Sequence, residues 1–424
     1  MLKRNCLWAM ALLLGCSDDG VPADTDSSVS ASGASSTPTS DSSPGASTGG
    51  DSPTDPSGPP TTSSATDPTL GESSTSSDPA GSSSTGGDLP QGAPRIYVAG
   101  GNAVSVWSVD AAGALSQVQS ADQGTNVGPL AHYDAAFLYA ARTAEQSVAT
   151  FSVDPVTGTL TEVGATPVGH TPVYLSVDPT GSWLLSADFG ADLVQIRPLG
   201  ADGTVGDMPS QSMTVQARPH AIEFDPAGTH VFVPHRDSNL IEQYTFDDTT
   251  GTLTANDSPS VAAPEGAGPR HIAFAPDASN AYVVNEFASS VSHYAYDAAS
   301  GTLTLADTVS ALPADFKGDN TGADVHVSLD GSYVYASMRG DDSLAVFSVG
   351  GDGSLTYQTN VSTEPRPREF GLDPFGNFVY AAGQDSGLLA GYTIEADGNL
   401  TPGDTYDVGA NAQWVLGVEL PPAR

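Results

Sequence analysis

The chain has 424 residues, with 50 Asp and Glu against 13 Lys and Arg, a formal net charge of −37. A field of this sign repels polyanions, which excludes nucleic acid and charge-driven binding to an anionic membrane surface. The only cysteines are Cys6 and Cys16. The rest of the chain therefore has no disulfide, no thiolate nucleophile and no cysteine-based metal site.

Residues 1–15 have the layout of an export signal. Lys3 and Arg4 precede an apolar run at 7–14 that is too short to span a bilayer as a helix. The sequence LLGC that ends at Cys16 resembles a bacterial lipobox, in which the cysteine is lipidated and becomes the mature N-terminus. The alternative is an ordinary cleaved signal in which Cys16 has no role. The resemblance implies an exported protein, anchored by lipid to the cell envelope in the periplasm or on the outer surface.

Residues 16–94 are predicted to be the lipidated cysteine followed by a disordered linker. From residue 17 onward this stretch has 11 acidic residues, no Lys or Arg, and mainly Ser, Thr, Gly, Pro and Ala without periodicity. Such a composition cannot bury a core, and a flexible chain of this length has a root-mean-square span of about 50 Å. A glycosylated stalk is the alternative. Residues 95–424, with 39 acidic and 11 basic residues, are predicted to form one domain.

A repeat organises this domain: an apolar strand, a turn of the type Asp-Pro-x-Gly and a second apolar strand. The copies are SVDPTGSWLLSADFG at 176–190, EFDPAGTHVFVPHRD at 223–237, AFAPDASNAYVVNEF at 273–287, VSLDGSYVYASMRG at 327–340 and GLDPFGNFVYAAGQD at 371–385, with a degenerate copy at 132–145. The turns recur every 45 to 53 residues, and further alternating runs follow each pair of strands. Four antiparallel strands in such a repeat are typical of a β-propeller blade.

The two ends of the domain supply complementary parts of one blade. The segment that begins at Arg95 provides three strands, and NAQWVLGVEL at 411–420 alternates correctly but has no following partner. Pairing the two would complete a seventh blade and remove an exposed sheet edge. The sequence therefore predicts an all-β, seven-bladed propeller whose ring is closed by the C-terminal strand pairing into the N-terminal blade.

Antiparallel geometry predicts where a pocket would form, because the start of each inner strand and the end of the second strand lie at one edge of a blade. Residues after the opening prolines, or aligned with them, are Val173, His220, Arg270, Asp324 and Arg368, and residues at the second-strand ends are Phe189, Arg236, Glu286, Arg339 and Gln384. Arginine presents a planar fork suited to a carboxylate, a phosphate or a developing oxyanion. The cluster predicts a cationic mouth that binds a small molecule; the alternative is that each arginine pairs with an acid across the channel.

One stretch resembles a known family. The sequence GPRHIAFAPDASNAYVVNEFASSVSHYAYD at 268–297 is similar to the signature blade of the seven-bladed lactonases, which include 6-phosphogluconolactonase and 3-carboxymuconate lactonizing enzymes. RPHAIEFDPAGTHVFVP, ADVHVSLDGSYVYASMRG and RPREFGLDPFGNFVYAAGQDS resemble other blades of that family, so that the resemblance covers about 95–420.

The resemblance implies a set of site residues. Five residues that match the family's central pocket are expected to be catalytic: Arg270, His271, Glu286, His326 and Arg339. His220 also matches that pocket, and the rim register adds four more positions. The residues expected to bind substrate are therefore His220, Arg236, Asp324, Arg368 and Gln384. Three positions depart from the family pattern: Asp324 replaces the usual Glu, Glu369 replaces a frequent His, and Met338 replaces Asn.

Lactone hydrolysis suits these residue types. We expect His326 or His271, with Glu286, to activate water, and Arg270 and Arg339 to bind the oxyanion or a carboxylate. No cofactor and no metal is expected, and the protein is expected to be a monomer that binds a small anionic or sugar-derived lactone. An exported enzyme would not meet a phosphorylated sugar lactone made in the cytoplasm. The alternative is a non-catalytic surface or periplasmic binding module, similar to YVTN-type propellers.

Overall fold

A computed structural model of the chain describes residues 92–422. The predicted signal at 1–15, the lipidation site Cys16 and the linker up to residue 91 lie outside the described residues. No helix within the described range has the length and apolar character needed to cross a bilayer.

Residues 92–422 form seven sheets of four antiparallel strands each. Blade 1 contains β1 (Pro94–Gly100), β2 (Ala103–Val109) and β3 (Leu115–Asp122); blade 2 contains β4 (Val127–Tyr133), β5 (Phe137–Arg142), β6 (Ser147–Val153) and β7 (Leu160–Pro167); blade 3 contains β8 (Tyr174–Val177), β9 (Trp183–Asp188), β10 (Leu193–Pro198) and β11 (Gln211–Thr214); blade 4 contains β12 (Glu223–Phe224), β13 (His230–His235), β14 (Leu240–Asp247) and β15 (Thr252–Ala262). Blade 5 contains β16 (Pro269–Phe274), β17 (Asn280–Asn285), β18 (Ser290–Asp297) and β19 (Thr302–Ser310); blade 6 contains β20 (Gly322–Val327), β21 (Tyr333–Met338), β22 (Ser343–Val349) and β23 (Leu355–Ser362); blade 7 contains β24 (Pro367–Leu372), β25 (Phe378–Gly383), β26 (Leu388–Ile394) and β27 (Leu400–Asp407). The remaining strand is β28 (Trp414–Glu419), and one 3-10 turn covers Thr143–Glu145.

The last strand closes the ring. β28 pairs antiparallel with β1, placing Val415 opposite Val98 and Gly417 opposite Ile96, so that blade 1 has the strand order β28-β1-β2-β3. The prediction of seven blades closed by the C-terminal strand is confirmed. Pairing across the two ends leaves no open edge on β1.

The Asp-Pro turns connect each inner strand to the second strand of its blade. Asp225 Oδ1 accepts the backbone N–H groups of Thr229 and His230, each at 2.8 Å. Asp373 accepts from Asn377 at 2.6 Å and Phe378 at 2.7 Å in the same way. These aspartates therefore satisfy backbone N–H groups of their own turns.

Buried apolar side chains fill the space between neighbouring blades. Between blades 3 and 4, for example, Leu185 and Val194 pack with Ile222, Val231 and Val233, all of which are fully buried. Because side chains alternate between the two faces of a strand, successive residues pack against the two neighbouring blades, with Leu184 facing blade 2 and Leu185 facing blade 4. The packing of the blades thus determines which inner-strand residues can form a site.

Candidate functional site

The seven inner strands, β4, β8, β12, β16, β20, β24 and β28, surround a cavity of about 470 Å³ in the channel. Its lining runs from the middle of these strands to the turns that follow them. We call the edge of the ring at these turns the distal edge, and the edge where the inner strands start the proximal edge. Aromatic lining residues are Tyr174, Phe224, Phe274, Phe370 and Trp414, and carboxyl-bearing ones are Glu223, Asp225, Asp324 and Glu369. The volume lies in the range of small-molecule sites, about 300–1,000 Å³.

Asp324 is the centre of the polar wall of this cavity. Its Oδ1 accepts from His271 Nδ1 at 2.9 Å, and its Oδ2 accepts from His326 Nε2 at 3.0 Å. The backbone N–H groups of Val325 and Phe370 add bonds at 2.9 and 3.3 Å. Burial alone would raise the pKa of Asp324, but His326 and His271 hold it well below its usual value. Asp324 is therefore a buried carboxylate whose acceptor positions are filled.

The two histidines on Asp324 have opposite properties. Burial would lower the pKa of His326, but the Asp324 carboxylate raises it above the usual value, and the side chain is 39 % exposed. By contrast, burial and the neighbouring Arg270 charge lower the pKa of His271 to about 3. Near neutral pH the His271 ring is thus uncharged, while the charged form of His326 is stabilised at the cavity surface.

Arg270 determines the tautomer of His271. The guanidinium Nη1 lies 3.2 Å from His271 Nε2, and because arginine can only donate, Nε2 must accept. The proton of the neutral ring is then on Nδ1, where it is donated to Asp324. The ligand atoms of His271, Asp324 and Glu369 lie within 4.8 Å of one another, a spacing that could hold a cation. In this tautomer, however, Nδ1 has no lone pair to offer a metal, so we interpret the three groups as a hydrogen-bonded network.

Glu369 completes the network on the blade 7 side. Its Oε1 lies 3.3 Å from Arg270 Nη1, and its Oε2 lies 3.7 Å from His271 Nδ1. Burial and the adjacent Asp324 carboxylate raise the pKa of Glu369 well above its usual value, although Arg270 opposes this. Glu369 and Asp324, two of the positions where the sequence departs from the family pattern, are therefore neighbours in the structure.

A second cluster lies at the proximal edge, centred on Glu286. Its Oε1 lies 3.0 Å from Arg236 Nη1 and 3.2 Å from Arg339 Nη2, and its Oε2 lies 3.6 Å from Arg270 Nε. Arg236 also stacks on two aromatic rings, 4.4 Å from the centroid of Phe189 and 5.1 Å from that of Phe287. Arg270 is fully buried and Glu286 nearly so. Arg270 therefore links this cluster to the network around Asp324.

The structure connects the five expected catalytic residues but does not gather them at one surface. Contacts of 2.9 to 3.6 Å run from His326 through Asp324, His271 and Arg270 to Glu286, and then to Arg339 at 3.2 Å. His271 and His326 line the cavity, whereas Arg270, Glu286 and Arg339 lie behind its wall and are not among its lining residues. A water molecule in the cavity would meet the histidines and not Glu286.

The residues expected to bind substrate also lie in different parts of the channel. His220 packs edge-on against Phe189 and His271, with ring centroids 5.3 and 5.4 Å apart, and burial and Arg270 hold its pKa well below the usual value. Arg368 is buried near the same rings, where its charge lowers the pKa of both histidines. Gln384 instead donates to Asn411 Oδ1 at 2.9 Å, beside the loop before β28.

Asp324 does not occupy the level that the sequence alignment predicts. In blades 5, 6 and 7 the turn after the inner strand begins at a residue whose backbone N–H closes it, respectively Ala275, Ser328 and Asp373. Asp324 lies four residues before Ser328, just as His271 and Glu369 lie four residues before the corresponding residues of blades 5 and 7. The residue level with Arg270 is therefore Ala323. Blade 6 begins its inner strand with Gly322 at the position where blades 5 and 7 have Pro269 and Pro367, and without a proline to mark that position the sequence alignment is one residue off.

Counting back from the turn also identifies residues that the sequence analysis missed. Tyr174 occupies the level of His271, and Glu223 occupies the level of His326, two residues before its turn aspartate. Tyr174 Oη donates to Glu223 Oε2 at 2.7 Å, and the Tyr174 ring lies 5.3 Å from Trp414. The two-residue alternation of the inner strands, applied from the Asp-Pro turns, is the signal that would have found them.

The comparisons with known proteins bear on what such a channel does. Residues 93–416 match the family model described as "Lactonase, 7-bladed beta-propeller". The chain belongs to the seven-bladed β-propeller lactonase family. Relatives named 6-phosphogluconolactonase include those of Serratia proteamaculans, 34 % identical over 76 % of this chain and 97 % of the relative, and Pectobacterium carotovorum, 35 % identical over 77 % and 98 %. The resemblance seen in the sequence is thus confirmed.

Solved structures agree with the fold. The periplasmic gluconolactonase of Pseudomonas aeruginosa superposes with a TM-score of 0.72 at 24 % identity, over 78 % of this chain and all of that one. A putative 6-phosphogluconolactonase from Bacteroides fragilis gives a TM-score of 0.70 at 23 % identity, over 81 % of this chain and all of that one. At these identities the likeness shows the architecture alone. Membership of the lactonase family supports a lactonase-type hydrolase acting on a small-molecule lactone.

Proposed function

We propose that the protein hydrolyses a small lactone bound in the channel cavity. The observation that carries this proposal is the half-exposed His326, held by the buried carboxylate of Asp324 at 3.0 Å and facing a cavity of about 470 Å³. A proton-transfer group oriented by a buried carboxylate is a recurrent arrangement in acyl-transfer enzymes. The names of the relatives, which are lactonases, support the same reaction class.

The geometry favours His326 as a proton donor. Asp324 stabilises the charged imidazolium, which suits a group that gives a proton to the ring oxygen as the lactone opens. The sequence predicts that His326 or His271 activates water together with Glu286. Glu286 lies outside the cavity lining, between Arg236 and Arg339, and His271 Nε2 is occupied by Arg270. A donor role for His326 fits these positions better.

Arg270 supports this site from behind the cavity wall. By donating to His271 it orients the ring that in turn donates to Asp324, and it lies against Glu369 at 3.3 Å. We therefore propose a positioning role for Arg270, in place of the expected direct contact with the oxyanion.

The chemistry of the cavity favours a neutral lactone. Among the described residues, those that line this cavity include no Lys or Arg but do include Glu223, Asp324 and Glu369. Aromatic rings beside carboxyl groups suit a polyhydroxylated ring, whereas a phosphate would meet the carboxylates of Glu223 and Asp324, opposed by the His326 imidazolium. The N-terminal sequence supports the same conclusion, since we propose that the chain is exported and lipid-anchored at Cys16, away from cytoplasmic sugar phosphates.

We expect unphosphorylated glucono-lactone to be opened with a kcat/KM at least about tenfold above that of its 6-phosphate, because the phosphate adds repulsion from the cavity carboxyl groups. Acid release measured in a weakly buffered pH-indicator assay, with the spontaneous rate subtracted, compares the two lactones. A preference for the phosphate would contradict the neutral-substrate assignment and would indicate that the proximal arginines bind substrate.

The reaction itself is tested with His326→Gln. We expect kcat to fall about 10²- to 10⁴-fold, the usual contribution of one proton-transfer group. His293→Gln is the matched control, because His293 is buried on β18 and bonded to Asn280 at 2.6 Å rather than lining the cavity. The His293→Gln variant should keep the wild-type kcat. Melting curves check that both variants are folded. Equal rates in wild type and the His326 variant across a lactone panel would reject the hydrolase proposal.

A further inference from the structure

We propose that Glu223 is the general base of this site, taking a proton from the water that attacks the lactone carbonyl. The inference deepens the proposed function and rests on it. Its starting point is the position of Glu223, a residue that neither the family resemblance nor the rim register singled out.

Glu223 and His326 lie at the same level of the channel on different blades. Each is two residues before the residue whose backbone closes its turn, Asp225 in blade 4 and Ser328 in blade 6. Both line the 470 Å³ cavity and both are only half-buried. A lactone in this cavity would therefore have a carboxylate and an imidazolium as neighbours.

The carboxylate of Glu223 is held in a defined orientation. Tyr174 Oη donates to its Oε2 at 2.7 Å. Tyr174 is itself fixed by edge-on contacts with the His271 and Trp414 rings, at centroid distances of 5.2 and 5.3 Å. The other oxygen, Oε1, has only a 3.3 Å bond from the backbone N–H of Phe224. Oε1 thus keeps acceptor capacity for a water molecule.

The other carboxyl groups around the cavity are committed to protein partners. Asp324 receives two imidazole and two backbone N–H groups, and Glu369 lies against Arg270. Asp225 bonds its own turn through Oδ1 and accepts the Tyr296 hydroxyl through Oδ2 at 3.0 Å. Among the described residues that line this cavity, Glu223 is therefore the carboxylate best placed to accept a proton from water.

The electrostatic environment gives Glu223 suitable basicity. Burial raises its pKa above the usual value, although the bonds from Tyr174 and Phe224 and the charge of His326 oppose the shift. The other titratable groups that line the cavity are His132, Tyr174, Asp225, His271, Asp324 and Glu369. A carboxylate with a raised pKa is a stronger base near neutral pH than an exposed one.

The two groups complete a balanced hydrolysis. Glu223 takes one water proton while the water oxygen bonds to the carbonyl carbon, forming a tetrahedral oxyanion. This intermediate re-forms the carbonyl and breaks the bond to the ring oxygen, which takes a proton from His326. The product is an open-chain hydroxy acid. Loss of the Glu223 proton to solvent and reprotonation of His326 restore the starting state.

The test replaces Glu223 by Gln, which keeps the shape and the oxygen that accepts from Tyr174. We expect kcat on an unphosphorylated lactone to fall about 10²- to 10⁴-fold with KM changed less than about threefold. In wild type the rate should fall as pH drops through the raised pKa of Glu223, and the variant should lack this acid limb. Glu242→Gln is the matched control, since Glu242 also accepts a tyrosine hydroxyl, from Tyr244 at 2.7 Å, but on β14 and outside the cavity lining.

A second readout needs no substrate. Because the Glu223 carboxylate helps to raise the pKa of His326, the Glu223→Gln variant should show a lower His326 pKa in an NMR titration of the imidazole C–H signals. An unchanged His326 pKa, or a variant with wild-type kcat and acid limb, overturns the inference while leaving the lactonase proposal intact. Failure of the wild-type protein to open any lactone rejects the proposed function, and with it the role of Glu223.

Discussion

The Arg270→Met variant should lose about 3–5 kcal/mol of unfolding free energy and nearly all lactone opening. Arg270 is fully buried, with Glu286 at 3.6 Å and Glu369 at 3.3 Å, and it donates to the Ala323 carbonyl at 2.5 Å. Removing the guanidinium takes a counter-charge from the buried Glu369 and leaves Glu286 with the Arg236 and Arg339 pairs. It also removes the donor that orients His271, so the network holding Asp324 would rearrange. Urea unfolding and steady-state kinetics measure the two effects.

A matched control comes from a second buried arginine. Arg197 donates to the backbone carbonyls of Gly206, Asp207 and Val168 at 2.7 to 3.1 Å and has no carboxylate within ion-pair distance among the residues described. Arg197→Met should therefore cost less, about 1–3 kcal/mol, and leave kcat near wild type. Adding Glu369→Gln to Arg270→Met should restore part of the lost stability but no activity. A smaller loss for Arg270→Met than for Arg197→Met would contradict the proposed charge network.

Ending the chain at Ala410 should abolish the cooperatively folded monomer. The truncation removes β28, which supplies the inner strand of blade 1 and the cavity residue Trp414. It would expose the hydrogen-bonding edge of β1, and open apolar edges of this kind promote aggregation. It also removes Val415 and Val418, which are buried in the packing around blade 1. Size-exclusion chromatography and thermal melting followed by circular dichroism report the outcome.

Ending the chain at Leu420 is the control for that truncation. This variant keeps β28 and the bond from the Leu420 N–H to the Ala93 carbonyl at 3.0 Å, and it should fold like the full chain. A synthetic peptide of residues 411–420, added to the shorter chain during refolding, should recover part of the folded monomer. If the chain ending at Ala410 melts with wild-type cooperativity, the closing strand does not contribute as proposed.

Much of the candidate site could be predicted from residue types and spacing. The level of each side chain along the channel, and whether it lines the cavity, could not. Arg270, His271, Glu286 and Arg339 could be grouped because blade register brings their strand ends to one axis. Because Gly322 stands where blades 5 and 7 have proline, Asp324 was aligned one residue off, which assigns its side chain to another level of the channel. Glu223 could be located only by counting back from its Asp-Pro turn, because by residue type alone a single glutamate there is equally consistent with an ordinary surface position.

The sequence by itself determined the number of blades, the closing role of β28 and the family, because alternation, turn residues and repeat length act locally and recur in each blade. The tertiary structure alone decided which charged groups face the cavity and which lie behind its wall. That division depends on how far each inner strand is shifted relative to strands from other blades, and on contacts such as Tyr174 with Glu223 or Arg270 with Glu369. Such contacts join residues about 50 to 100 positions apart, and their geometry is determined only when the ring is closed.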